Sequence, residues 1–277
     1  MRRLLAITAA VLLAASTAAC GGDSGETQAS GKAPAGLLKS GELSVCTDPE
    51  YPPMEYFKDG DTSNPIGFDS DGARALADLW QVKITWQNTA FDGLMPALQA
   101  KRCDVLWSAL YLSPERLAVA DGTPFMNTGP GLIVGTGTTD IKSADDLSGK
   151  TVAVQGGGSN EKTLQALSAK FTAAGRPGIT ISPYPKTAET VAAVTNRKAD
   201  ALIETDVAVV DMVGKSAGKL ASVPNAFPAD TKFGVFTRKG STLSPAVASG
   251  LKELHSNGTL SKLAEKYGLN PQRIVTG

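Results

Sequence analysis

The stretch Cys103-Asp-Val-Leu-Trp-Ser-Ala-Leu-Tyr-Leu-Ser-Pro-Glu-Arg116 decides how this chain is read. Val105-Leu-Trp107 is an apolar run of strand length. Ser113-Pro114-Glu115-Arg116 then reads as a helix start: Ser is a favoured N-cap, Pro suits the first helical position, and Glu complements the positive helix end. A cation in that first turn opposes the helix dipole. Arg116 is therefore either a solvated side chain or the grip for an anion, since its planar fork can hold a carboxylate bidentately.

Working outward, the same pattern recurs. Lys101-Arg-Cys-Asp-Val-Leu106 is echoed by Arg197-Lys-Ala-Asp-Ala-Leu202, each a helix end running into a strand. Ser40-Gly-Glu-Leu-Ser-Val-Cys46 is echoed by Ser148-Gly-Lys-Thr-Val-Ala-Val154, each a loop running into a strand and a turn. Between them lie a hairpin over 54–68 and an amphipathic helix after Asp69 carrying Ala73, Leu76, Ala77 and Trp80. Further strands fall at 82–86, 179–181, 201–203 and 233–237, with helices opening at Leu94, Glu161, Thr187 and Ser244. Two βα-built lobes of one plan fit this better than a single long sheet. Such lobes bind ligands outside the carboxyl ends of their strands. The candidate positions are then Asp48 to Tyr51, Trp107 to Tyr111 with Ser108 and Ala109, Gln155 to Ser159 with Gly158, and Glu204 to Asp206.

The N-terminus has its own logic. Met1-Arg-Arg3, the apolar run Leu4 to Ala15 and the small residues Ser16-Thr-Ala-Ala19 make a secretory signal, too short to span a bilayer. Thr17-Ala18-Ala19-Cys20 resembles a bacterial lipobox, with Thr17 where Leu is usual. That resemblance makes Cys20 a lipid anchor and residues 20–40 a lipidated, flexible tether. Without Arg2 and Arg3, 25 basic residues face 27 acidic ones, a balance that does not suggest nucleic acid as a partner. Cys46 and Cys103 are not expected to pair. On extended neighbouring strands they would stand roughly 13 Å apart at about 3.3 Å per residue.

Catalytic signatures are weak. His255 is the single histidine, no Gly-x-Ser-x-Gly elbow occurs, and no Cys/His set has metal-ligand spacing. Gly156-Gly-Gly-Ser159 ahead of a helix can offer backbone N–H groups to an anion, but it lacks the third glycine of a dinucleotide fingerprint.

From about Gly41 to Tyr267 the chain resembles the extracellular solute-binding proteins of bacterial polar amino-acid ABC importers. The resemblance rests on Thr47-Asp-Pro-Glu-Tyr-Pro-Pro53, Ile66-Gly-Phe-Asp69, Phe91-Asp-Gly-Leu-Met-Pro-Ala-Leu98, Asp104 to Arg116, Gly149 to Glu161 and Asn257-Gly-Thr-Leu260. It implies an α/β, two-lobed periplasmic-binding-protein-like (type II) fold with two hinge strands. The first lobe would comprise 41–128 and 240–277, the second 129–239, following a signal peptide at 1–19. It further implies an exported, membrane-anchored monomer with no cofactor, no metal and no catalytic residue, partnered by a small carboxylated solute and an ABC permease. Arg116 would bind the ligand carboxylate with Ser159 and neighbouring N–H groups. Ala109 would offer its carbonyl to an ammonium, Tyr51 and Phe91 would sandwich the side chain, and Asp48 would sit near a polar end.

Two residues depart from the family pattern: Tyr111 stands where Ser or Thr is usual, and Thr205 where an Asp usually pairs with the ammonium. Glu204 and Asp206 flank that second position. Two other readings stay open, an exported dehydratase-like enzyme of the same fold and a ligand-sensing receptor domain.

Overall fold

The computed structural model describes residues 33–276. The signal peptide, Cys20 and most of the expected tether lie outside the described residues.

The chain begins with β1 (Glu42–Thr47), a short hairpin of β2 (Glu50–Tyr51) and β3 (Glu55–Tyr56), α1 (Phe68–Leu79), β4 (Lys83–Asn88), α2 (Leu94–Gln99) and β5 (Val105–Leu106). α3 (Pro114–Val119) and β6 (Ala120–Thr128) complete this part. Leu43 and Val45 of β1 face a core shared with Ala73, Leu76 and Ala77 of α1, while Cys46 faces another with Leu94 and Leu98 of α2. A strand covered on both faces fits parallel pairing, and β1 runs parallel to both β4 and β5.

The second part repeats the plan with β7 (Pro130–Gly135), β8 (Thr151–Gln155), α4 (Ser159–Ala173), β9 (Thr180–Tyr184), α5 (Thr187–Thr195), β10 (Ala201–Thr205), α6 (Asp206–Lys215) and β11 (Leu220–Val223). β12 (Thr231–Arg238), α7 (Ser244–Ser256) and α8 (Thr259–Lys266) close the chain. The first sheet has the order β4-β1-β5-β12-β6 and the second β11-β7-β10-β8-β9. Each contains three mutually parallel strands, then one antiparallel to them, then an edge strand paired antiparallel to that one. In each, the strand beside the parallel set enters from a crossing between sheets, and the edge strand leaves into one. The chain crosses from β6 to β7 at Gly129 and from β11 to β12 over residues 224–230. A Cβ on Gly129 would lie 2.5 Å from Pro228 O and 2.6 Å from Ala229 Cα, so glycine is what lets the two crossings touch.

Three expectations need correction. Cys46 and Cys103 form a disulfide, with Cα atoms 5.6 Å apart. The strand-rise arithmetic fails because the approach to β5 is not extended. Lys101 takes φ +58° and Arg102 N–H bonds back to Ala97 O, so Cys103 arrives from the α2 layer and joins the core into which Cys46 points. The expected tether also ends early: Leu37 packs on the first core and Leu38 N–H donates to Asp104 Oδ1 at 2.6 Å. Finally, β12 hydrogen-bonds into the first sheet, so the chain is back in the first lobe by Thr231 rather than after residue 239.

Candidate functional site

Between the carboxyl ends of β1, β5, β8 and β10 lies a cavity of about 620 Å³, including its open mouth. Most of the positions expected from the sequence line it; Pro49, Trp107, Gly156, Gly157 and Asp206 do not. Asp48, Tyr51, Phe91, Ser108, Ala109, Tyr111 and Arg116 come from the first lobe; Gly158, Ser159, Glu204 and Thr205 come from the second.

Arg116 sits in the first turn of α3, half-buried, with Nη1 donating to Tyr111 O at 3.1 Å. Burial lowers its pKa to about 10, against the pull of Glu115 and Tyr111. Among the described residues it enters no ion pair; its neighbour Glu115 bonds instead to Lys162 at 3.0 Å. Opposite it, Gly157 takes φ +75° and α4 begins at Ser159 with Gly158 as N-cap, so first-turn N–H groups border the cavity. Phe91 lies on Gly158, where a Cβ would meet the ring at 3.3 Å.

The rest of the lining is acidic. Asp48 is pushed up to about 6, mainly by burial and then by Glu50, with the Phe91 backbone opposing. Glu204, 5 % exposed, is raised by burial. Its Oε1 accepts from Tyr51 Oη at 2.7 Å, across the cleft, and from Thr205 N–H at 2.9 Å. Tyr51 Oη also lies 2.6 Å from Thr205 Oγ1. The Tyr51 hydroxyl thus already serves as a bond between lobes.

Four cavity residues escaped the sequence: Glu55, Val154, Asn160 and Thr187. Asp69 lies just behind the wall. Glu55, 1 % exposed, accepts from Ser108 Oγ at 2.7 Å, while Asp69 accepts from Ala109 N–H at 2.6 Å. These two carboxyls hold the 108–109 loop, in which Ala109 carries a left-handed φ of +44°. Burial, then the charge of Asp69, raises Glu55 well above the carboxylate range; burial raises Asp69 to about 8. Asn160, 9 % exposed, follows Ser159 and lines the same cavity. Periodicity marks neither Glu55, whose partner Ser108 is distant in sequence, nor Asn160, which only burial sets apart. Asp206, which flanks Thr205, does not line the cavity. It bonds Thr128 Oγ1 at 2.7 Å and Arg273 at 2.5 Å.

The arrangement offers one guanidinium and a set of N–H groups to an anion, and several carboxyls to a cation. Among the described residues, no group of three or more His, Cys, Asp or Glu could hold a metal ion.

Comparison with known proteins identifies the family. Residues 43–270 match the model of the bacterial extracellular solute-binding proteins, family 3. The arginine-binding extracellular protein ArtP of Bacillus subtilis is 29 % identical over 96 % of this chain and 98 % of its own length. The L-cystine-binding protein TcyJ of Escherichia coli is 30 % identical over 83 % of this chain and 84 % of its own. Among solved structures, an ancestral arginine-binding protein bound to arginine superposes with a TM-score of 0.75 at 28 % identity, covering 82 % of this chain and 98 % of that one. This chain belongs to the bacterial extracellular solute-binding proteins of family 3.

Proposed function

We propose that the chain captures an amino acid between its lobes and delivers it to the permease of an ABC importer, held at the outer face of the membrane through lipid on Cys20. The observation that carries this reading is Arg116, a half-buried guanidinium at the cavity wall that no acidic side chain among the described residues neutralises. The ligand carboxylate would take that place, with Ser159 and the first N–H groups of α4 completing its hydrogen bonds. The remaining carboxyls, Asp48, Glu55 and Glu204, favour a ligand that is also cationic. Relatives named for arginine are consistent with this.

Ligand-driven closure follows from differential affinity, because only a closed cleft lets Arg116 and Ser159 touch one molecule. The ion pairs at the rim, Glu50–Lys186 and Glu115–Lys162, are exposed. Such pairs contribute about 0–1 kcal/mol each, and the ligand adds to them and to the Tyr51–Glu204 bond in favouring closure.

Titration calorimetry on the mature protein, across the standard L-amino acids, L-cystine and simple carboxylates, tests the reading. Arg116→Ala is expected to weaken the tightest binder by roughly 2–5 kcal/mol, since a buried carboxylate loses its partner. A loss of less than threefold would overturn the assignment. A rival reading, an exported dehydratase-like enzyme, draws on one similarity. An ancestral amino-acid-binding protein described as a precursor of cyclohexadienyl dehydratase matches with a TM-score of 0.72 at 30 % identity. Turnover of a candidate substrate, lost in Glu204→Gln, would favour that enzyme.

A further inference from the structure

Glu204, Tyr111 and Asn160 lie on three different elements: β10, the loop after β5 and the first turn of α4. All three line the cavity. Glu204 Oε1 is occupied by Tyr51 and Thr205, whereas Oε2 has only the Thr187 hydroxyl at 3.5 Å, which also faces Gln155 at 3.4 Å. Among the described residues the Glu204 carboxylate enters no ion pair.

Tyr111 Oη and Asn160 Oδ1 are both buried with no hydrogen-bond partner. Tyr111 is 6 % exposed and stacks on Phe233 at 5.5 Å, which holds its ring in place. Burial raises the pKa of its phenol, and the charges of Glu204 and Asp206 add to this; the hydrogen-bonding Asn160 side chain nearby and the charge of Arg116 oppose it. Asp206 is already taken by Arg273 and Thr128. What remains is a surplus of acceptors. A buried carboxylate oxygen and an amide oxygen can only accept, and a phenol can accept as well as donate. Buried polar groups of this kind are normally satisfied, so the missing donors point to the ligand.

We propose that Glu204, Tyr111 and Asn160 form one subsite that takes a cationic N–H group of the ligand, a primary ammonium above all, in place of the acidic side chain absent at Thr205. Three acceptors from the two lobes match the three N–H donors of an ammonium. The inference rests on the amino-acid reading above, which assigns the ligand carboxylate to Arg116. The bulk of Tyr111 then has a purpose: its hydroxyl stands a ring's length from the backbone, further than a Ser or Thr hydroxyl could reach.

The test is calorimetric titration of the mature protein with L-lysine, L-arginine and L-glutamine, against hexanoate and pentanoate, which keep the carboxylate and lose the cation. At least one amino acid is expected to bind about 100-fold or more tightly than the carboxylates. Glu204→Gln should reduce that amino acid's affinity about 30-fold or more, and Tyr111→Phe about 3- to 10-fold. Hexanoate and pentanoate should stay within threefold in both variants. Equal losses for amino acids and carboxylates, losses under threefold, or failure of all three amino acids to bind would each overturn the subsite. Tyr111→Phe removes a single oxygen and keeps the test decisive if Glu204→Gln folds poorly. Arg116→Ala separates the two claims. If it abolishes binding while Glu204→Gln and Tyr111→Phe are neutral, only the subsite fails; if it is itself neutral, the carboxylate reading fails too.

Discussion

Arg273 Nη1 lies 2.5 Å from Asp206 Oδ2, which ties the C-terminal turn of the first lobe to the first turn of α6 in the second. The same carboxylate accepts from Thr128 at the end of β6, and Ile274 bridges to Met126 on that strand. The C-terminal tail therefore lies along one crossing strand and grips the opposite lobe. Both partners are partly exposed, so solvent screens the pair. Arg273→Ala is expected to reduce unfolding stability by about 1 kcal/mol, read from urea denaturation. Amino-acid affinity should fall no more than a few-fold, because neither residue lines the cavity. A drop as large as that of Arg116→Ala would contradict this division of roles.

The Cys46–Cys103 bridge closes a 57-residue separation and joins β1 to the segment that leads into β5. Loop-closure entropy makes a link of this length worth about 4 kcal/mol in the chain-entropy model, with about 2–4 kcal/mol typical in practice. Urea curves with and without reductant should separate by that amount. Coincident curves would mean that the packing around Leu94, Leu98 and Leu106 alone fixes this region.

Stability should also depend on pH through the acids beneath the 108–109 loop. Asp69 rises to about 8 in the folded chain, against an unfolded value of about 3.9. A carboxyl that holds its proton more tightly when folded stabilises the fold fully below about pH 4. That contribution is lost progressively as pH climbs to about 8. Glu55 is shifted in the same direction. The thermal midpoint is expected to be lower at pH 9 than at pH 5. Asp69→Asn, which keeps an acceptor for the Ala109 N–H, should flatten the slope. An unchanged slope in that variant would place the titrating group elsewhere.

Gly129→Ala would drive a methyl into the backbone of Pro228 and Ala229, neither of which can rotate aside. The expected cost is about 1–3 kcal/mol, measured by denaturation. The variant should also change the ratio of open to closed lobes in small-angle scattering. Unaltered stability would show that the crossings have room to separate.

Much of the architecture was legible in the sequence because it is local. The echo of residues 101–106 in 197–202 marks equivalent third parallel strands, β5 and β10, and strand ends located the cleft. Arg116 stood out because a cation in a first helical turn runs against the dipole. What was not legible depends on distant pairing or on a bend. β6 reads Ala-Asp-Gly-Thr-Pro-Phe-Met-Asn-Thr, a mixture with no clear period, and is held as a strand by β12 more than a hundred residues later. The position of Cys103 is not legible because a left-handed Lys101 turns the chain beneath the sheet. Glu55 and Asn160 carry no local mark, since what sets them apart is burial against residues from other elements.

The exchange of strands between sheets also bears on the order in which the molecule can assemble. Every strand of the second sheet lies within one uninterrupted segment, Pro130 to Tyr184 and on to Val223, whereas the first sheet lacks its fourth member until Thr231–Arg238 arrives. In a chain that emerges N-terminus first, the later lobe can finish folding while the earlier one still waits with β5 and β6 unjoined. During that wait the Cys46–Cys103 link can already hold β1 to the segment entering β5, so the unfinished sheet is kept in register until β12 fills the gap.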